Sequence, residues 1–154
     1  MNASVDVQIA SNTGALPSPK QFAAWARAVL AGAEGRVELT LRIVDETESA
    51  ELNQIYRNVP GPTNVLSFPF EAPAGVALPL IGDVVICAPV VRREAGEQGK
   101  CANAHFAHMV VHGALHLLGY DHEHESDALR MEAEECRILE KLGFPDPYAA
   151  GAAE

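Results

Sequence analysis

The stretch H-G-A-L-H-L-L-G-Y-D-H, from His112 to His122, has the residue types and spacing of a metal site. On a helix, His112 and His116 lie one turn apart on the same face. Val110, Val111, Leu115, Leu117 and Leu118 are apolar enough to bury such a helix. Gly119 then stops it, because glycine takes the left-handed backbone without a Cβ penalty. The chain turns there and can carry His122 back toward the two helical imidazoles. Three neutral imidazoles with no fourth protein ligand in the run describe a catalytic zinc site with an open position. One Zn2+ per chain is the expected cofactor.

The same spacing is the ligand frame of the metzincin proteases, H-E-x-x-H-x-x-G-x-x-H. The glutamate that serves those proteases as general base is replaced here by Gly113. The ligands are present and the proteolytic base is absent, so the frame fits a metal-dependent hydrolase of another kind. A metallopeptidase would need Asp121 or Glu123 as a substitute base. Restoring a glutamate at position 113 should leave the ligands untouched. His108, four residues before His112, could pair with it, but it stands about 12 Å along the helix axis from His116 and cannot share an ion with it. His105 and His124 are read as solvated or supporting residues. A closed structural zinc is disfavoured, since such sites normally use four ligands and favour cysteine.

A chain of 154 residues, 48% of them hydrophobic, is long and apolar enough for one domain with its own core, taken as residues 1–154. There is no signal-peptide pattern at the N-terminus and no run of about 20 apolar residues, so no membrane partner is expected. Cys87, Cys101 and Cys136 are odd in number and lack C-x-x-C spacing, which reads as reduced thiols in a cytoplasmic protein. The net charge of −10 opposes indiscriminate binding to nucleic acid, and DNA is not an expected partner. Much of the acid follows the histidines, at Glu123, Glu125, Asp127, Glu132, Glu134, Glu135 and Glu140, and reads as a solvated helix face. A basic cleft elsewhere would draw on Arg57, Arg92, Arg93 and Lys100.

The elements that must position these residues alternate. Val5, Val7 and Ile9 predict a first strand, and Ser18 with Pro19 opens a helix carrying Phe22, Trp25, Ala26, Val29 and Leu30. Val37, Leu39, Leu41 and Ile43 predict a second strand. Asp45 and Glu48 resemble a capping box for a helix reaching Tyr56 and Arg57. After a Pro/Gly loop, Thr63 to Phe70 is extended, and Pro69 places it at an edge. Asp83 to Cys87 is a buried strand, Pro89 opens a short helix, and helices follow over 102–118 and 126–142. The expected fold is α/β (α+β): a single compact domain with a mixed sheet of about four strands, the three-His site lying on the penultimate long helix and the following turn.

The segments E-L-N-Q-I-Y-R, P-T-N-V-L-S-F-P-F-E, G-D-V-V-I-C and A-H-M-V-V-H-G-A-L-H-L-L-G-Y-D-H together resemble the YbeY family of bacterial metal-dependent endoribonucleases, the rRNA maturation factors. The resemblance runs from about Val37 to Tyr148. It implies zinc-dependent cleavage of single-stranded RNA, a role in maturing the 3′ end of 16S rRNA and in ribosome quality control, and contact with the ribosome or ribosomal proteins. It puts the metal on His112, His116 and His122 and a functional arginine at Arg57. Many members have aspartate where this chain has Asn64, and an amide cannot act as a base.

Phosphodiester hydrolysis needs an activated nucleophile, a Lewis acid and a counter-charge for the transition state. Zinc on His112 and His116, the catalytic pair of the helix, supplies the first two. Arg57 fits the third, because guanidinium offers phosphate a planar fork; by itself it is a helix-end surface arginine. Thr63 and Ser67 either hydrogen-bond substrate phosphate or satisfy a strand end. The attacking oxygen comes from water or from the RNA 2′-hydroxyl. A non-catalytic assembly factor with a structural zinc is the remaining alternative. Imidazole binds metal only when neutral, so zinc, about one per chain, should dissociate as pH falls below about 6.5. His116→Ala should remove most of it and His108→Ala should not. Zinc content after dialysis checks this; retention down to pH 4 would mean carboxylate or thiolate ligands.

Overall fold

A computed structural model describes residues 3–33, 35–76 and 78–149. The Ala/Gly tail from residue 150 lies outside them. Strand β1 (Ala3–Ala10) leads through helix α1 (Pro19–Leu30) to β2 (Val37–Val44), and α2 (Glu46–Arg57) leads to β3 (Val65–Pro69). Then come β4 (Leu80–Cys87), α3 (Ala88–Gln98), α4 (Ala102–Leu117) and α5 (Glu125–Lys141). The sheet order is β1-β2-β4-β3, with β1, β2 and β4 parallel and β3 antiparallel to β4 at the edge. This is the α+β domain with a four-stranded mixed sheet that the hydrophobic alternation predicts. Among the described residues no helix is long and apolar enough to cross a membrane.

Alternation along the central strands divides the interior in two. Leu39, Leu41, Ile43, Val84 and Ile86 join Phe22, Trp25, Phe106, Val110 and Leu115 in the main core, between the sheet and α1, α4 and α5. Fully burying each such side chain contributes roughly 1.5–3 kcal/mol. The opposite face is smaller: Val44, Leu66, Val85, Cys87 and Val90 pack with Leu52 of α2 and with Phe68. The α1 start is as the sequence predicts, with Ser18 Oγ accepting from Gln21 N–H and Gln21 accepting from Ser18 N–H. The box expected at Asp45 and Glu48 does not form. Asp45 instead accepts from Asn12 N–H at 2.9 Å, Thr13 Oγ1 at 3.0 Å and Ser11 Oγ, tying the β1–α1 loop to the end of β2. Those bonds, the Asn12 N–H first, lower its pKa. Glu48 is drawn away by Arg42, which it holds at 2.6 and 2.9 Å.

The motif helix α4 lies against β3 and β4, and Gly113 explains how closely. A Cβ there would stand 2.6 Å from Val84 Cγ1 and 3.2 Å from both Ser67 Oγ and Val65 Cγ2. Position 113 therefore faces the sheet, a hundred degrees of helical turn from the histidine row. This corrects the expectation that a glutamate at 113 would be harmless to the ligands. Gly113→Ala should lower the melting temperature by an overpacking cost of about 1–3 kcal/mol. Gly113→Glu should lower it further and lose zinc, since α4 must lift off the sheet. Thermal melts with zinc analysis check this, and a Gly113→Glu protein with unchanged melting point and zinc would refute the packing account.

Candidate metal centre and substrate cleft

His112 and His116 project from the last two turns of α4, and the helix ends as the sequence predicts. Leu118 caps it, Gly119 takes φ +100°, and Tyr120 N–H donates back to the Leu115 carbonyl at 3.1 Å. The turn brings His122 onto the other two: ring centroids are 4.7 Å apart for His112–His116, 5.0 Å for His116–His122 and 5.7 Å for His112–His122. One nitrogen from each ring lies within 4.8 Å of the others, close enough to hold one metal ion.

The second ring nitrogens of His112 and His116 are engaged in the manner of metal ligands. His112 donates Nδ1–H to Glu135 Oε2 at 2.6 Å, and His116 donates Nδ1–H to the Tyr120 carbonyl at 3.0 Å. Both bonds leave the Nε2 lone pair for a cation, and such partners fix ring orientation and tautomer. Desolvation, followed by the neighbouring His112 and His122, lowers the pKa of His116 and favours the neutral ring that a metal requires.

Glu135 is the functional residue that the acidic composition hid. Counted above with a solvated face, it is completely buried. Burial alone would raise its pKa, but bonds from His108, His112 and Tyr148 hold it down to about 2. His108 donates Nε2–H to Oε1 at 3.1 Å, and the Tyr148 hydroxyl donates to the same oxygen. The signal was periodicity: Met131, Glu135, Ile138 and Leu139 follow helical spacing, and all are buried. His105 narrows a second expectation. Of the two roles expected of it, solvated or supporting, the solvated one fails: it is buried, and its Nε2 lies 2.8 Å from Glu94 Oε1.

His108, His112 and Glu135 form a second group whose donor atoms are close enough for a metal. The three-His group fits an ion with an open position better. His122 is exposed and His112 and His116 are partly so, whereas the Glu135 carboxylate is enclosed and already accepts from three donors. The free thiols of Cys87, Cys101 and Cys136 enter neither group.

The three histidines line one wall of an open cleft of about 580 Å³, whose other residues are Tyr56, Arg57 and the segment Thr63–Pro69. Arg57 ends α2, and Asn58 follows in the left-handed conformation at φ 56°. The Arg57 guanidinium has neither an ion pair nor a hydrogen bond among the described residues. Ser67 Oγ donates to the Gly113 carbonyl at 3.0 Å, and the Thr63 backbone is held at both polar atoms by Ser49 Oγ at 3.1 Å. Asn64 donates its amide to Glu94 at 3.1 and 3.2 Å. The other cations proposed for a basic cleft are dispersed. Arg92 donates to the Ala15 carbonyl, Arg93 pairs with Glu46 and Lys100 donates to the Pro147 carbonyl.

Among the described residues no carboxylate lines the cleft. Asp121 borders a separate hollow with Tyr120, Asp127 and Arg130, and accepts from Glu123 N–H at 2.6 Å. A free guanidinium facing imidazoles, with no acid between, suits an anionic substrate despite the overall charge.

Comparison with known proteins agrees with this geometry. The solution structure of TM1509 from Thermotoga maritima is similar to this fold, with a TM-score of 0.61 and 25% identity over 94% of this chain and 97% of that one. The family model described as Endoribonuclease YbeY matches residues 7–143, a span that takes in β2 to β4, Arg57, the three histidines and the buried glutamate behind them. The chain belongs to the YbeY endoribonuclease family.

Proposed function

We propose that this protein is a zinc-dependent endoribonuclease that cleaves single-stranded RNA. The proposal includes a place in the cytoplasm, in maturation of the 16S rRNA 3′ end and in ribosome quality control, in contact with the ribosome or its proteins. The observation that carries it is the meeting of the unpaired Arg57 with the three imidazoles in a cleft free of carboxylates. Family membership supports RNA as the substrate.

His112, His116 and His122 would hold the zinc, which when bound supplies Lewis acidity at a phosphoryl oxygen and lowers the pKa of a coordinated water to about 7. The chain's own residues do the rest. Glu135 and the Tyr120 carbonyl fix the His112 and His116 rings, so the ligands need not reorganise. Arg57 presents two N–H groups to the phosphate oxygens that gain charge as the nucleophile arrives. Thr63 and Ser67 line the same cleft, where they would meet substrate hydroxyls or phosphate, although the Ser67 hydroxyl already donates to the Gly113 carbonyl. Water and the RNA 2′-hydroxyl remain equivalent as nucleophiles for this arrangement. A peptidase would lack a base, since neither Asp121 nor Glu123 lines the cleft.

Zinc-loaded protein incubated in parallel with single-stranded RNA, duplex RNA and casein should cut the single strand alone. Strong proteolysis, or no cleavage of RNA, would overturn the assignment. Arg57→Ala should keep the melting temperature and the zinc while turnover falls by on the order of 10²–10³. Arg57→Lys should recover only part of the loss, because an ammonium lacks the two-pronged geometry. Full turnover by a folded, zinc-loaded Arg57→Ala protein would remove the residue from the mechanism.

A further inference from the structure

Tyr56 is an aromatic side chain in an unusual place: it stands beside Arg57 at the end of α2 and is 65% exposed. Its ring meets Phe68 of β3 edge-on, with centroids 5.0 Å apart and planes at 63°. Phe68 is itself half-buried against Leu66 and Val85, so the pair rests on the smaller core. The two rings border two concavities at once. On one side lies the cleft with Arg57 and the histidines. On the other lies a hollow formed by Gln8, Thr40, Arg42, Glu48 and Asp83. The aromatic pair is the ridge between them.

Charge distinguishes the two sides. The cleft has an unpaired guanidinium and no carboxylate, and suits phosphate. The hollow holds Glu48 and Asp83, and its one cation among the described residues, Arg42, is already bonded twice by Glu48. A phosphate is repelled there, whereas a neutral group with hydrogen-bonding edges is not. A polymer with its phosphate beside Arg57 and a flat neutral ring reaching the ridge meets both demands.

We propose that Tyr56, supported by Phe68, is a stacking subsite for one unpaired base of the RNA next to the scissile phosphate. This rests on the ribonuclease reading above and adds the origin of its strand preference. A base within a duplex has both faces covered by its neighbours, so it cannot lie on the Tyr56 ring while its phosphate reaches Arg57. An unpaired base can, and stacking of this kind accepts any base because each has a π-face.

The test uses zinc-loaded full-length protein and two single-stranded oligoribonucleotides, one normal and one abasic at the nucleotide flanking the cut. Tyr56→Ala should raise KM for the normal strand by roughly 10-fold or more, the effect typical of losing one base–aromatic stack, with kcat changed much less. Tyr56→Phe should restore KM, since a phenyl ring stacks without the hydroxyl. On the abasic strand, wild type and Tyr56→Ala should have the same, weaker KM. The melting temperature should stay near wild type because the ring is exposed. Cleavage with equal KM for wild type and Tyr56→Ala on the normal strand would refute the subsite and leave the ribonuclease reading standing. An undiminished Tyr56→Ala effect on the abasic strand would refute it too. Absence of any RNA cleavage by the wild-type protein would remove the ribonuclease reading and this subsite with it.

Discussion

A carboxylate without access to water is tolerable only when its charge is met by donors, and Glu135 is such a group. Two of its three donors come from α4, at His108 and His112, and the third comes from Tyr148 beyond the end of α5. The arrangement therefore clamps α4, α5 and the following chain together at the back of the metal centre. It also dictates the His112 tautomer, since a carboxylate can only accept. Removing one partner of a buried charge typically costs 3–5 kcal/mol. Here the same loss would free the ring whose other nitrogen faces the cleft, so fold stability and metal geometry share one interaction.

The cleft is shaped by how closely α4 can approach the sheet. Gly113 meets Val84, Val65 and Ser67, and on β4 Gly82 meets Phe68 and Leu117 just as tightly, where a Cβ would stand 2.4 Å from the Phe68 carbonyl. Glycine at these two positions lets the histidine row sit beside the edge strand β3, and the loop between α2 and β3 brings Arg57 across from it. The protease-like ligand frame thus serves a different cleft. The position that would hold a proteolytic base is spent on packing, and the exposed wall is filled by an arginine and an aromatic ridge.

Much of this was legible in the residues. Alternation at Val37–Ile43 and the i, i+4 histidines with a glycine stop point to strand and helix through local periodicity alone, and the structure has both, with His122 brought beside the helical pair. What could not be read were contacts between distant segments of chain. Asp45 and Glu48 have capping-box spacing, yet each finds a stronger partner in tertiary structure, Asp45 at the β1–α1 loop and Glu48 at Arg42. Arg92, Arg93 and Lys100 looked as free as Arg57, and only the folded chain shows which guanidinium lacks a partner. Glu135 was obscured by composition, although its place on the Met131–Ile138 stripe marked it as buried.

On the proposed function, a metal would lie in front of His112, on the cleft side, with Glu135 supporting that ring from behind. Anomalous diffraction at the zinc edge from crystals of zinc-loaded protein locates the ion directly. One peak is expected about 2.0–2.1 Å from Nε2 of His112, Nε2 of His116 and one ring nitrogen of His122, with the Glu135 carboxylate still bonded to His112 Nδ1. A peak between His108, His112 and Glu135 would contradict it, because the ion would then sit in the enclosed pocket behind α4, away from Arg57 and the cleft.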